Sequence, residues 1–346
     1  MWTNLKTDAH WHILTQMDST STIDTKIANA PFDDSCADII LRSAKSNVDF
    51  YVFKMFLSYA SPFFKQMFTL PQDGVNQEVK DGLPLICVEE DHQTLDLLLR
   101  CCYPRWHAPS NRSDLDSLLL VLEAARKYEM EEVERVIRAD IVAGQFIFEQ
   151  PMRTYAIALR HRLGPEARLA ARETLRLPLM GREYIEELEH ITAGALHRLQ
   201  SYHLLCSDVA IRVAKSLDWL TSDNFTWFDC TSCRSQNFLN TTVTISGHRQ
   251  KWVLSKWWSE YMAQATAALA ERPSGASVTH VDLMDEALTK ANLCSGCRSR
   301  AFQDMRVFSE AFSAEVDKAI GSVSVPIAVI SLSFMGQQVE LEVKFF

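Results

Sequence analysis

Residues 50–68 read Phe50-Tyr-Val-Phe-Lys-Met-Phe-Leu-Ser-Tyr-Ala-Ser-Pro-Phe-Phe-Lys-Gln-Met-Phe68. The stretch changes character twice. Asp49-Phe-Tyr-Val-Phe-Lys54 is rich in aromatic and β-branched residues and reads as a strand. Met55 to Ala60 follows as a short apolar helix. Ser61-Pro62 then opens a second helix, because Ser is a good N-cap and Pro is tolerated at the first helical position. Phe63, Phe64, Met67 and Phe68 supply its expected buried face.

Upstream, Asp38-Ile-Ile-Leu-Arg-Ser-Ala44 is a second apolar strand, joined to the first through the polar turn Lys45-Ser-Asn47, so the pair reads as a hairpin. Downstream, a polar loop runs from Leu70 to Gly82, and Leu83-Pro-Leu-Ile-Cys-Val88 is a third strand. Asp91 caps a helix with Leu95, Leu97, Leu98, Leu99 and Cys102 inside. After a loop over Pro104–Arg112, Asp114 caps another, in which Leu118, Leu119, Val121, Leu122 and Ala125 recur near helical spacing. Glu131 to Val142 is a third, with Val133, Val136, Ile137 and Ile141 on one face.

The quoted stretch resembles the signature of the BTB (POZ) family. Lys54, Leu57, Ser61, Phe64, Met67 and Phe68 match it, and Asp38 fits the acidic residue that opens that domain's first hairpin. The family's usual His is Phe53 here. The resemblance covers roughly Pro31 to Ala143, and the motif stands in register with a strand–strand–helix–helix–strand–helix–helix order. Further along, Phe68-Thr-Leu-Pro-Gln72, Tyr155-Ala-Ile-Ala158, Leu169-Ala-Ala-Arg-Glu-Thr-Leu175 and Tyr202-His-Leu-Leu-Cys206 resemble the BTB proteins expanded in mushroom-forming fungi. The helices after the first domain occupy the place of BACK-type helices in other BTB proteins.

The expected class is α+β, in four stretches. Residues 1–30, polar and rich in Ser and Thr, read as a disordered arm whose His10 and His12 lack a third ligand nearby. Residues 31–143 form a BTB domain, a small sheet covered by helices. Residues 144–220 are helical and BACK-like: Pro151 and Gly164-Pro165 start helices, and Tyr184–Ile191 and Ala195–Trp219 follow. Residues 221–346 are expected to hold helices over Trp252–Glu271, Val281–Ala291 and Phe302–Ile320, the last with a stripe of Phe302, Met305, Phe308, Phe312, Val316 and Ile320. They end in the alternating strand Val339-Glu-Leu-Glu-Val-Lys-Phe345. Gly321 to Gln338 is the odd segment: a hairpin partner for that strand, or a gene-model insertion.

The charge balance bounds the function. Lys plus Arg is 35 against 44 Asp plus Glu, a net charge of −9, which argues against a protein whose main work is gripping nucleic acid. Arg160-His-Arg162 and His248-Arg249-Gln-Lys251 read as solvated basic loops. His190, His197 and His203, on helices without an acidic partner at ligand spacing, read as surface or satisfied core residues. Met1–Ile13 has no continuous apolar core and no run is long enough to span a bilayer, so the expected location is cytoplasmic or nuclear, with no membrane partner. No P-loop, G-x-S-x-G or dinucleotide-binding glycine pattern is present, so no enzyme activity is expected.

One constellation carries chemistry. Cys230-Thr-Ser-Cys233 and Cys294-Ser-Gly-Cys297 are two C-x-x-C turns, and each can aim two thiolates at one Zn²⁺. About sixty residues separate them, more than a zinc ribbon uses, so intervening helices have to bring them together. Four buried thiols and a redox dithiol are the alternatives. The other cysteines, Cys36, Cys87, Cys101, Cys102 and Cys206, read as core residues. Together these features predict a non-enzymatic interaction protein carrying a structural zinc. The resemblance implies protein partners and a homodimer, and the short helix offers a surface for it, because Met55, Phe56 and Tyr59 beside the core Leu57 are more apolar surface than one buried face needs. Two alternatives stay open. One is a substrate adaptor of a cullin-type ubiquitin ligase, for which Thr69-Leu-Pro-Gln-Asp73 has Gln72 where the adaptor motif has an acid. The other is a transcription regulator acting through partners.

Overall fold

In the computed structural model the described residues are 25–70, 78–103, 114–143, 145–181, 183–220, 224–228, 230–236, 238–245 and 248–326, with side chains of 234–253 excepted. The polar arm up to residue 24, the cullin-relevant position Gln72 and the terminal strand after residue 338 lie outside them, as does all of the odd segment from residue 327 onward. The chain divides into two units, Met1–Asp140 and Ile141–Phe346.

The first unit is built on β1 (Lys26–Ile27), β2 (Ile39–Ser43), β3 (Val48–Val52), α1 (Lys54–Ala60), α2 (Pro62–Thr69), β4 (Val79–Lys80), β5 (Leu83–Val88), α3 (His92–Cys102), α4 (Leu115–Lys127) and α5 (Glu131–Ala143), whose last turn crosses into the second unit. The sheet order is β1-β3-β2-β5-β4. β2 and β3 form the expected antiparallel hairpin, with Leu41 opposite Phe50, and Asn47 takes the positive φ (50°) that its turn requires. β5 lies parallel to β2, its pairing starting at Leu85, one residue beyond Pro84, so the missing proline N–H falls outside that ladder. Ile39, Ile40 and Leu41 are all buried, as befits a central strand covered on both faces.

Two pairings go beyond the sequence reading. Lys26 and Ile27, placed in the disordered arm, pair in parallel with Val48 and Asp49 on the sheet edge. Val79–Lys80, placed in a loop, adds the opposite edge. Both are two residues long, too short to show a period.

Capping follows the sequence. Asp91 accepts from the N–H groups of Gln93 and Thr94, and Asp114 from that of Ser117. Ser61 accepts from the Phe64 N–H at 3.0 Å and donates to the Tyr128 carbonyl, so one buried hydroxyl starts α2 and ties it to the end of α4. α1 has no cap of its own. Asp38 supplies one from across the hairpin, its carboxylate accepting from the Lys54 N–H at 2.7 Å. Of the expected α2 face only Phe64 is buried. Phe63, Met67 and Phe68 are half-buried, with Phe63 and Phe64 set against Tyr128. Val136 is partly exposed because its position on α5 lies off the stripe Val133–Ile137–Ile141.

The second unit holds α6 (Phe146–Glu149), α7 (Pro151–Arg160), α8 (Gly164–Glu173), α9 (Ala193–Ser216), α10 (Thr231–Gln236), β6 (Phe238–Ile245), β7 (His248–Ser255), α11 (Lys256–Glu271), α12 (Gly275–Val278), α13 (Val281–Asn292) and α14 (Ala301–Gly321). α9 packs on both α11 and α14, so the helical layer and the cysteine-bearing part share one core. Tyr184–Ile191 is a 3-10 turn over Glu186–His190 rather than a full helix. The larger correction is at Trp252. An eight-pair antiparallel hairpin, β6 with β7, occupies 238–255, and the helix expected from Trp252 begins at Lys256. The basic run His248–Lys251 therefore lies in a strand, not a loop. On α14, Met305, Phe308, Phe312, Val316 and Ile320 are buried, but Phe302 is 68% exposed, since the buried stripe begins one residue earlier at Ala301, four before Met305, and Phe302 lies beside it.

Candidate metal centre and interaction surface

The core of the second unit around α11 and α14 is aromatic. Trp227 stacks on Phe225 (4.7 Å between centroids) and on Trp258 (5.7 Å), meets Trp257 edge-on at 5.7 Å, and packs against Phe308. This cluster fixes the first C-x-x-C turn, because the Trp227 carbonyl accepts the Ser255 N–H at 3.0 Å and holds the base of the hairpin beside Cys230.

All four sequence-chosen cysteines converge. Their sulfur atoms lie within 4.8 Å of one another. Cys230 to Cys294 is 3.5 Å, Cys233 to Cys294 is 3.4 Å and Cys233 to Cys297 is 3.6 Å. A tetrahedral Zn²⁺ with bonds of about 2.3 Å sets its thiolates roughly 3.8 Å apart, so the cage fits the ion. The ligands come from α10 and the turn before it, and from the turn between α13 and α14. The middle residues of the two turns also face each other, with Ser232 and Ser295 hydroxyls 3.4 Å apart. Gly296 permits that approach: a Cβ there would stand 2.8 Å from Cys230 Sγ and 3.1 Å from Ser232 Oγ.

Cys230, Cys233 and Cys297 are buried and Cys294 is half-buried. Burial drives the Cys233 thiol strongly upward. It also pushes Cys297 up to about 11, against the hydrogen bond from Trp257. At Cys294 burial is outweighed: the N–H of Cys297, the Cys233 and Cys230 thiols and the N–H of Gly296 bring it down to about 7. Four sulfurs so closely spaced are compatible with a divalent cation, which on binding would deprotonate the thiols. Four ligands leave no open position for water.

The other cysteines do not join this site. Cys206 is buried, as expected. Cys36, Cys87 and Cys101 are exposed and Cys102 half-buried; Cys101, for instance, points away from the α3 face made by Leu95, Leu98 and Leu99. His190 and His197 are exposed, while buried His203 meets the Leu177 carbonyl through Nε2 at 3.2 Å.

On α1, Met55 and Tyr59 stand four residues apart on one face, 67% and 93% exposed. Leu57 faces the core. Phe56, placed with the exposed pair on sequence grounds, is half-buried, its ring 4.7 Å from that of Tyr103. It supports the face more than it presents it. Sequence reasoning set the helix carrying Trp257 against the four cysteines, and Trp257 does meet Cys297. It missed Ser255, whose proximity to the cysteines depends on the hairpin turning the chain back on itself.

Residues 29–144 match the BTB/POZ domain family, about a third of the chain. The first unit is thus a BTB domain in sequence as well as in its sheet and helices, and BTB domains act in protein–protein interaction. Among curated proteins no match to this chain is found. Among the described residues no helix is long and apolar enough to cross a membrane.

Proposed function

We propose that this chain is a non-enzymatic interaction protein. Its BTB domain pairs with a second copy, and its second unit is stapled by one structural Zn²⁺ on Cys230, Cys233, Cys294 and Cys297. The observation that carries the interaction reading is the α1 face. Met55 and Tyr59 present a large apolar thioether and a nearly free aromatic ring side by side, on a domain whose family mediates protein contacts. Adjacent exposed apolar side chains of this kind mark partner sites, and Tyr suits them by joining a broad apolar face to a polar tip. The zinc reading is carried by the cage geometry. In this reading the α7–α9 layer holds the BACK-like position, and the chain stands with the BTB proteins of mushroom-forming fungi in the cytoplasm or nucleus.

Light scattering on the full chain tests the pairing. At tens of micromolar, where a micromolar contact of about 8 kcal/mol is populated, the expected mass is that of a dimer. Replacing Met55→Asp and Tyr59→Asp together returns a monomer with unchanged helix content. A wild-type chain that stays monomeric overturns the reading.

A further inference from the structure

Four thiolates and one Zn²⁺ carry a net charge of −2, and on the zinc reading that charge sits beside the Trp257 ring, which Trp227 meets edge-on. A buried anion of this size needs hydrogen-bond donors, since aromatic faces supply none and repel negative charge. The donors are divided between the two ends of the cage. At the outer end, half-buried Cys294 receives the N–H groups of its own turn, from Cys297 and Gly296. At the inner end, Cys297 is fully buried, and there Trp257 points its indole Nε1–H at the sulfur, 3.4 Å away. Indole is a donor only, so this sulfur accepts. The Ser255 hydroxyl stands 3.9 Å from the same atom.

The orientation of Trp257 is not a general demand of the core. Its neighbours Trp227 and Trp258 are buried with indole nitrogens that have no hydrogen-bond partner among the described residues, and Trp219 uses its own on the Val213 carbonyl. Trp257 alone of this group is turned to a cysteine. It is held so by its place in the first turn of α11, two residues after the N-cap Ser255, and by Trp227 standing perpendicular to it (90°).

Resting on the zinc reading above, we infer that Trp257 is a positioning residue of the metal centre: its indole N–H orients Cys297 and disperses the thiolate charge at the water-free end of the cage. Outer-shell donors of this kind typically change metal affinity by about 10–100-fold. The experiment uses the full chain loaded with Zn²⁺, Co²⁺ or ¹¹³Cd²⁺. Trp257→Phe, which keeps a ring and removes the donor, is expected to lose about 10–100-fold in Zn²⁺ affinity by chelator competition. It is also expected to shift the sulfur-to-Co²⁺ charge-transfer band. Trp258→Phe, which removes an equally buried indole with no contact to sulfur, leaves that band in place. In the unmutated ¹¹³Cd²⁺ protein, the Trp257 Nε1 proton is expected to show scalar coupling to the metal through Cys297. Unchanged affinity and band position in Trp257→Phe overturn the assignment. Should that variant fail to fold, absence of the cadmium coupling in the unmutated chain overturns it instead. A wild-type chain that takes up none of these metals is a different result and overturns the zinc reading itself.

Discussion

Asp49 is fully buried, opposite Arg42 in the β2–β3 ladder. It accepts from Arg42 Nε and Nη2 at 2.6 and 2.9 Å and from Lys80 Nζ at 2.6 Å. Burial alone would raise its pKa, but the hydrogen bonds from Arg42 and Lys80 hold it below the ordinary carboxylate value. Its folded-state pKa is therefore depressed. The stability it contributes is present above the unfolded-state value, near 4, and is lost as pH falls through the lower, folded-state value. Asp49→Asn leaves two cations facing a neutral amide, and removing one partner of such a pair costs about 3 kcal/mol. Denaturant unfolding of the first unit at pH 7 should show that loss. The same unit's stability should then fall less steeply with acid below pH 4 than in the wild type. A neutral variant with an unchanged acid slope would contradict the assignment. From the sequence, Asp49 was visible only as the start of a strand. Its partner Lys80 belongs to a two-residue strand at the far edge of the sheet, beyond the reach of any local pattern.

At the scale of elements, the second cysteine turn depends on Gly296 having no side chain. Gly296→Ala places a methyl against the sulfur and hydroxyl of the facing turn. Overpacking of that sort costs about 1–3 kcal/mol, or roughly 5–150-fold in an equilibrium. Zinc affinity of the variant should drop within that range while far-UV circular dichroism stays wild-type. An unaltered affinity would mean that the two turns do not approach as closely as described. The two cysteine pairs themselves were legible, because each is a local three-residue spacing. The caps at Ser61, Asp91 and Asp114 were legible for the same reason. The hairpin that joins the pairs was not. Asn240-Thr-Thr-Val-Thr-Ile245 does carry strand composition, and Ser246-Gly247 a turn signal. The tryptophans after it, however, fit an apolar helical face once the helix is allowed to start at Trp252. Trp252 in fact pairs with Thr241 in the ladder. The strand runs into the helix across Ser255-Lys256 alone, and two polar residues between apolar ones fit a single helical period as well as a boundary.

For the whole molecule, two units imply two responses. On the proposed zinc reading, an ion on Cys230, Cys233, Cys294 and Cys297 touches only the second unit, whose aromatic core is continuous with the cage through Trp257 and Trp227. Mass spectrometry under native conditions should give one zinc per chain. Cys233→Ser should remove it, along with much of the near-ultraviolet tryptophan signal, and lower the melting temperature of the second unit. The Asp49-centred unit should keep its own transition. A metal-free wild-type chain with both transitions intact in strong chelator would favour four buried thiols.

Cys233 and Cys294 are 61 residues apart in the chain. A ribosome adds about 5–20 residues per second, so the first cysteine pair leaves the ribosome roughly 3–12 s before the second on that rate. For that interval it is a two-thiol half-site that cannot close a tetrahedron. On the proposed zinc reading, each newborn chain therefore passes through a stage at which Cys230 and Cys233 stand as an open pair, exposed to a wrong metal or to oxidation until Cys294 and Cys297 arrive.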